Sequence, residues 1–117
     1  MNSFREKYGD ACEKYDYFKK KAELIDTFPE RIIDIIRDAG KPIGSGYIEF
    51  ILTLQEFNKL TNEDKLDFYN NVDHFDVLDA IHELFNSNRL LECIEGRKLC
   101  LPEWNIEGAY NPTHTGW

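Results

Sequence analysis

Residues 73–102 contain a helical pattern followed at once by a hairpin pattern, and this order limits the folds available to the chain. Apolar residues recur at helical spacing from Asp73 to Ser87. Two short apolar-rich runs then follow, residues 90–94 and 98–101, with Gly96 between them and Pro102 after the second. The two patterns predict a mainly α-helical chain with a small β-hairpin.

The size and composition of the chain predict one domain with one core. The chain has 117 residues, of which 42% are hydrophobic, including eight Phe and six Tyr. No apolar run approaches the length of a membrane span, and residues 1–10 lack the apolar segment of a secretory signal, so a cytoplasmic location is expected. Three cysteines without a CxxC pair do not indicate a disulfide framework.

The first 26 residues are predicted to form one charged helix. Between positions 4 and 25, apolar and aromatic residues recur at steps of three and four: Phe4, Tyr8, Ala11, Tyr15, Phe18, Ala22 and Ile25. Such a stripe either docks on the rest of the chain or pairs with a second copy, which would make a homodimer through the N-terminal helix.

Three further helices are predicted before the acidic one. Thr27 and Glu30 have capping-box spacing, Pro29 suits a first helical turn and Gly40 suits a helix end, which together predict a helix over 27–39. After a short extended connector at 41–43, Ser45 is predicted to cap a helix that ends near residue 59, although part of that stretch has features of a strand. A cap-like pair, residues 61 and 64, predicts a short helix that ends near residues 70–71.

The helix predicted over 73–87 has opposite acidic and apolar arcs. The acidic arc is Asp73, Asp76, Asp79 and Glu83; the apolar arc is Val77, Leu78, Ile81, Leu84 and Phe85. No Lys or Arg lies between Leu66 and Asn88. The whole chain carries a net charge of −8, whereas residues 1–22 hold six bases and four acids. An acidic body is repelled by nucleic acid unless its bases are gathered on one face.

The element order over 27–102 resembles a winged helix-turn-helix domain. The segment that resembles it most is DVLDAIHELFNSNRLLECIEGRKLCLP, where a helix leads through a polar turn into an EGRK-tipped wing. Residue patterns predict an N-terminal helix at 1–26 before this stretch and an extended tail at 103–117 after it. The resemblance implies a winged-helix-like core (α-α-α-β-wing) between them. It also implies double-stranded DNA binding, in which one helix enters the major groove and the wing contacts the backbone.

The wing agrees with this implied function, but the helix does not. The bases available for phosphates are Arg89, Arg97, Lys98, Lys19, Lys20 and Lys21. The groove-facing positions, however, would be the four carboxylates of the acidic arc, which repel phosphate. Residues 61–72 also separate two helices that a tight helix-turn-helix would join by a short turn.

Catalytic and metal-binding motifs are missing from the sequence, so neither an enzyme nor a cofactor is expected. GxSxG, HExxH and a phosphate-binding glycine loop do not occur, and the three histidines lack metal-ligand spacing. Cys93 and Cys100 face each other if the hairpin turn centres on residues 96–97, whereas Cys93 faces Lys98 if it centres on 95–96.

Two functions are therefore expected from the sequence. The first is a non-enzymatic protein that binds a basic protein partner through the acidic arc, extended by Asp67 and Glu63, and so acts as a nucleic-acid mimic and inhibitor. The second is a dimeric, DNA-binding transcriptional regulator that uses the basic residues listed above.

Overall fold

The computed structural model describes residues 3–114, with side chains described for residues 4–113. The elements follow one another as α1 (Ser3–Lys14), α2 (Asp16–Asp26), α3 (Phe28–Ala39), α4 (Ser45–Asn58), α5 (Asn62–Leu66), α6 (His74–Asn86), β1 (Leu91–Glu92) and β2 (Leu99–Cys100). The predicted fold class, mainly α-helical with a small β-hairpin, is confirmed in this coarse form.

The N-terminal segment contains two helices, and the prediction of one helix over 4–25 is wrong. Tyr15 has an extended backbone that separates α1 from α2, and the two helices fold back on each other. Arg5 near the start of α1 therefore reaches Asp26 at the end of α2, with 2.6 Å between Nη2 and Oδ2. The rings of Phe4 and Phe18 stack with their centroids 6.0 Å apart. The aromatic stripe thus packs partly on itself, because a hairpin buries more of it than one straight helix would.

Helix α3 lies at the centre of the core. Phe28, Ile32 and Ile36 are fully buried on it, and they pack in one cluster with buried side chains of α4 and α6. The predicted end of this helix is confirmed, since Gly40 has the left-handed φ of 67°. The predicted capping box is wrong, because Thr27 is helical in φ and ψ and its hydroxyl donates to the carbonyl of Leu24 rather than capping α3.

The next two helices differ from the predictions only at their ends. Gly44, not Ser45, is the N-cap of α4, and the Ser45 side chain makes no capping hydrogen bond. The cap of α5 is confirmed, since Thr61 Oγ1 accepts from the N–H of Asp64 at 3.2 Å. Helix α5 ends at Leu66, several residues before the predicted end.

The sheet is small but is joined to both flanking segments. Leu91 pairs with Cys100 and Glu92 with Leu99, in antiparallel register. Ile43, between α3 and α4, forms a bridge with Leu99, and Tyr110 forms one with Glu92 on the other side. The hairpin is therefore fixed to the connector after α3 and to the C-terminal segment.

The register decides between the two predicted hairpin turns. Cys93 continues β1 and its N–H donates to the carbonyl of Lys98 at 2.8 Å, so Cys93 is opposite Lys98 in the ladder. The alternative that pairs Cys93 directly with Cys100 is wrong.

In the described part of the chain, every helix is too short or too polar to cross a lipid bilayer.

Candidate functional site

The site is built on α6, whose start is fixed by Asp73. The Asp73 backbone is extended, and its Oδ1 accepts from the N–H of Phe75 at 2.8 Å. One carboxylate of the acidic arc is therefore a helix cap, and its charge also complements the positive end of the helix. The opposite face of α6 is buried in the core through Val77, Ala80, Ile81, Leu84 and Phe85.

Asp76 faces the N-terminal hairpin, which is the pair of helices α1 and α2, instead of open solvent. Its Oδ2 lies 3.6 Å from Nζ of Lys21 on α2, and the two side chains are 16% and 20% exposed. That distance is too long for a good hydrogen bond, and Oδ2 has no hydrogen-bond partner among the described residues. Burial raises the pKa of Asp76, and the nearby Lys21 charge only partly opposes this effect. Asp76 therefore belongs to the contact between α2 and α6.

The other two members of the acidic arc differ in exposure. Asp79 is exposed and Glu83 is half-buried. A surface hollow of about 410 Å³ brings Asp79 together with Asp73 and Asp76, but Lys7 and Lys21 line the same hollow. The acidic arc is therefore a mixed surface in which lysines of the N-terminal hairpin offset part of the negative charge.

The outer face of α6 consists of Phe75, Leu78, Asp79 and His82, which are all exposed. Phe75 is 72% exposed and Leu78 is 36% exposed. Leu78, which the sequence assigns to the apolar arc, lies at the border of that arc and is exposed. The helical spacing of residues 75, 78 and 82, of which 78 borders the apolar arc and the other two lie outside it, is the signal in the sequence that would have identified this face.

A contact between α4 and α6 lies beside this face. Nδ1 of His74 is 2.7 Å from a carboxylate oxygen of Glu49 on α4. Helix α4 has an exposed apolar stripe of its own, in which Tyr47, Phe50 and Leu54 are 50%, 60% and 41% exposed. Exposed apolar groups on two neighbouring helices are typical of protein-binding surfaces.

The two residues predicted to extend the acidic arc belong to α5 and to the position that follows it. Glu63 is exposed on α5, and Asp67 follows the last residue of α5. Asp67 lines a different hollow, of about 310 Å³, together with Glu56 and Asp64. The structure therefore groups Asp67 with other carboxylates than those of α6.

The basic residues predicted to contact DNA divide into two groups. Arg89 makes a two-pronged ion pair with Glu30, at 2.6 and 3.0 Å, and Lys21 faces Asp76. This pairing lowers the pKa of Glu30. The remaining four are exposed: Lys19, Lys20, Arg97 and Lys98. Two of the six are thus committed to carboxylates within the chain.

Among the side chains that the structure describes, residues 4–113, no three or more of His, Cys, Asp and Glu are placed together to hold a metal ion. Comparisons of the chain with protein-family models, with curated proteins and with solved structures gave no match.

Proposed function

We propose that this chain is a non-enzymatic, winged-helix-like interaction protein that binds a basic protein partner through the outer face of α6. The order α3, α4, α6 and hairpin supports a winged-helix-like core. The bridge between Ile43 and Leu99 also supports it, because it fixes the hairpin to the connector between the first two helices of that core.

The observation that carries the proposal is the position of Phe75. This ring is 72% exposed on α6, and it lines one hollow with Asp73 and Asp79. An exposed aromatic ring is a common centre of binding energy in protein interfaces. Carboxylates around such a ring select and steer a partner with a basic rim.

Asp76 has a different role from the one expected of the acidic arc. Because it faces Lys21 and is mostly buried, it positions α6 against α2 rather than contacting the partner. The contact residues of the proposed surface are therefore Phe75, Leu78 and Asp79, with Asp73 and Glu83 at its edges.

More specifically, we propose that the basic partner is a nucleic-acid-binding protein. Carboxylates on a helix can occupy a basic groove in place of phosphates, and so compete with DNA or RNA for that groove. The released nucleic acid is the readout of this more specific proposal.

The test compares capture of partners by the immobilised protein and by four variants. Phe75→Ala and Asp79→Asn change the proposed surface. Phe50→Ala and Asp38→Asn are matched controls, since Phe50 is a similarly exposed ring on α4 and Asp38 is an exposed carboxylate on α3. Thermal unfolding of each variant establishes that it folds.

We expect the wild-type protein to capture a basic protein. The two control variants should still capture it, and the two surface variants should not. Adding the wild-type protein to that partner should then release its bound nucleic acid. Equal capture by all four variants would contradict the proposal, and loss only with Phe50→Ala would place the binding surface on α4.

A second candidate function is binding of double-stranded DNA through the hairpin. Exposure of Arg97 and Lys98 at the hairpin tip favours it, since both remain accessible to phosphate. Exposed Lys19 and Lys20 on α2 add further positive charge.

A further inference from the structure

Two cysteines of the hairpin lie side by side although they are not paired in the strand register. Cys100 is in β2 and Cys93 continues β1, and their sulfur atoms are 3.6 Å apart. Both are free thiols. A disulfide bond requires sulfur atoms about 2.05 Å apart, so the two sulfur atoms are in contact and must approach each other further to bond.

The two thiols differ in their access to solvent. Cys93 is half-buried and lines a hollow of about 710 Å³ at the hairpin, together with Lys41, Gly96 and Lys98. Cys100 is fully buried, and its Sγ–H donates to the carbonyl of Leu91 at 3.7 Å. A small reagent that enters the hollow therefore meets Cys93 first.

The third cysteine belongs to another part of the fold. Cys12 is buried in α1, and its Sγ–H donates to the carbonyl of Phe18 at 3.7 Å. It supplies an internal reference, because its surroundings contain neither the hollow nor the sulfur contact of the hairpin.

We propose that Cys93 and Cys100 form an oxidisable dithiol, a modification site at which a small hydroperoxide converts the two thiols into an intramolecular disulfide. Cys93 is the attacking residue and Cys100 is the resolving residue. The site lies on the hairpin and does not depend on the proposed function of α6.

The first step forms a sulfenic acid on Cys93. The Cys93 thiolate attacks one oxygen of the hydroperoxide ROOH, the O–O bond breaks, and the leaving alkoxide takes up a proton to become ROH. Burial raises the pKa of the Cys100 thiol to about 12, and the contact with Cys93 adds to this effect. Cys100 therefore keeps its proton at neutral pH, which leaves Cys93 to react with the peroxide.

The second step joins the two sulfur atoms. Sγ of Cys100 attacks Sγ of Cys93 while the Cys100 proton passes to the hydroxyl oxygen, so the S–S bond forms as the S–O bond breaks and water leaves. Overall, two thiols are oxidised by two electrons and one hydroperoxide is reduced to ROH and water. The disulfide closes the loop that contains Gly96 and Arg97, and so fixes the hairpin tip.

The experiment treats the folded protein with hydrogen peroxide, alkylates it after denaturation, and locates the alkyl groups by peptide mass spectrometry. We expect the wild-type protein to be alkylated at Cys12 only, to contain a cross-linked peptide of Cys93 and Cys100, and to regain three alkylation sites after dithiothreitol. Alkylation of all three cysteines after peroxide treatment would overturn the proposal. A cross-link that involves Cys12, or links two chains, would overturn it as well.

Three variants test the assigned roles. Cys93→Ser should keep its remaining thiols, Cys100→Ser should accumulate a sulfenic acid on Cys93 that dimedone traps, and Cys12→Ser should still form the disulfide. If Cys93→Ser forms a dimedone adduct on Cys100 as fast as Cys100→Ser forms one on Cys93, the proposed order of attack is wrong. If Cys100→Ser fails to fold, the cross-linked peptide of the wild-type protein still decides whether the disulfide forms.

Partner capture through α6 is expected to be the same before and after oxidation, so failure of one proposal is distinguishable from failure of the other.

Discussion

Nζ of Lys21 lies 3.6 Å from Oδ2 of Asp76, and this contact joins α2 to the acidic side of α6. A carboxylate that the sequence pattern assigns to a binding surface thereby makes a contact inside the molecule. The contact also brings positive charge from the N-terminal hairpin to the carboxylates of α6. The surface left for a partner is centred on Phe75 and Asp79 instead.

The Lys21–Asp76 pair should contribute to stability. Both side chains are mostly buried, so we expect Lys21→Met to lower the free energy of unfolding by roughly 1–2 kcal/mol, between the values for exposed and buried pairs. Lys20→Met is the matched control, since Lys20 is exposed on the same helix. Urea unfolding measures both variants; equal effects would show that the pair adds no stability. The double variant Lys21→Met, Asp76→Asn should be more stable than Lys21→Met alone, because it leaves no unpaired buried charge.

The raised pKa of Asp76 predicts a pH dependence of stability. A carboxyl group whose pKa is higher in the folded than in the unfolded state stabilises the fold below the unfolded pKa and loses this contribution as pH rises through the folded pKa. Asp76→Asn has no carboxyl group at this position and so does not lose this contribution. The free energy of unfolding of Asp76→Asn minus that of the wild-type protein should therefore rise as pH increases from about 3 to about 7. Thermal or urea unfolding across this range measures the difference.

Glu30→Gln should show the opposite pH dependence of unfolding free energy in the same experiment. The Arg89 guanidinium lowers the pKa of Glu30, so the stabilisation from Glu30 is present above its unfolded pKa and is lost as pH falls through its folded pKa. Relative to the wild-type protein, Glu30→Gln should therefore lose stability as pH rises. If both variants change in the same direction, the assignment of at least one pKa shift is wrong.

The shared core of α3, α4 and α6 should be sensitive to cavities. Leu52 is fully buried on α4, and Leu52→Ala is expected to lower the free energy of unfolding by roughly 2–5 kcal/mol. Leu54→Ala on the same helix is the matched control, because Leu54 is 41% exposed. Urea unfolding of both variants checks the core; similar losses would mean that α4 is not packed as described.

Gly40 should resist substitution for a conformational reason. Its φ of 67° lies in the left-handed region, so we expect Gly40→Ala to cost about 1 kcal/mol of unfolding free energy even though the space around its Cα is open. Gly46 lies inside α4, also in open space, and Gly46→Ala should stabilise the protein by about 0.5–1 kcal/mol. Opposite signs in thermal unfolding would confirm both conformations, and a stabilising Gly40→Ala would contradict the left-handed helix end.

Binding of random-sequence duplex DNA separates the two candidate functions. If the acidic arc governs the surface, no binding should be measurable even at low salt, because the carboxylates of α6 repel phosphate. Binding that weakens steeply as salt is raised, and that is lost in the double variant Arg97→Glu, Lys98→Glu, would favour the DNA-binding function instead. Glu95→Gln serves as a control at the same hairpin tip.

The sequence by itself determined the local structure of most elements. The isoleucines of α3 at helical spacing, the glycine after them, the Thr61 cap and the order of α6 and hairpin all follow from periodicity and capping chemistry within a few neighbouring residues. Such features depend on contacts close in the chain, so a single sequence contains them. For the same reason the mainly α-helical class with a small hairpin was predictable.

Only the tertiary structure decided where the N-terminal segment turns and what the acidic side of α6 faces. The break at Tyr15 lies within a continuous helical pattern, and its reason is packing of Phe4 against Phe18, fourteen positions along the chain. Asp76 and Asp79 are the same residue type three positions apart, yet Asp76 is mostly buried beside Lys21 and Asp79 is exposed. Periodicity assigns residues to a face of a helix, whereas burial of that face depends on which distant segment packs on it.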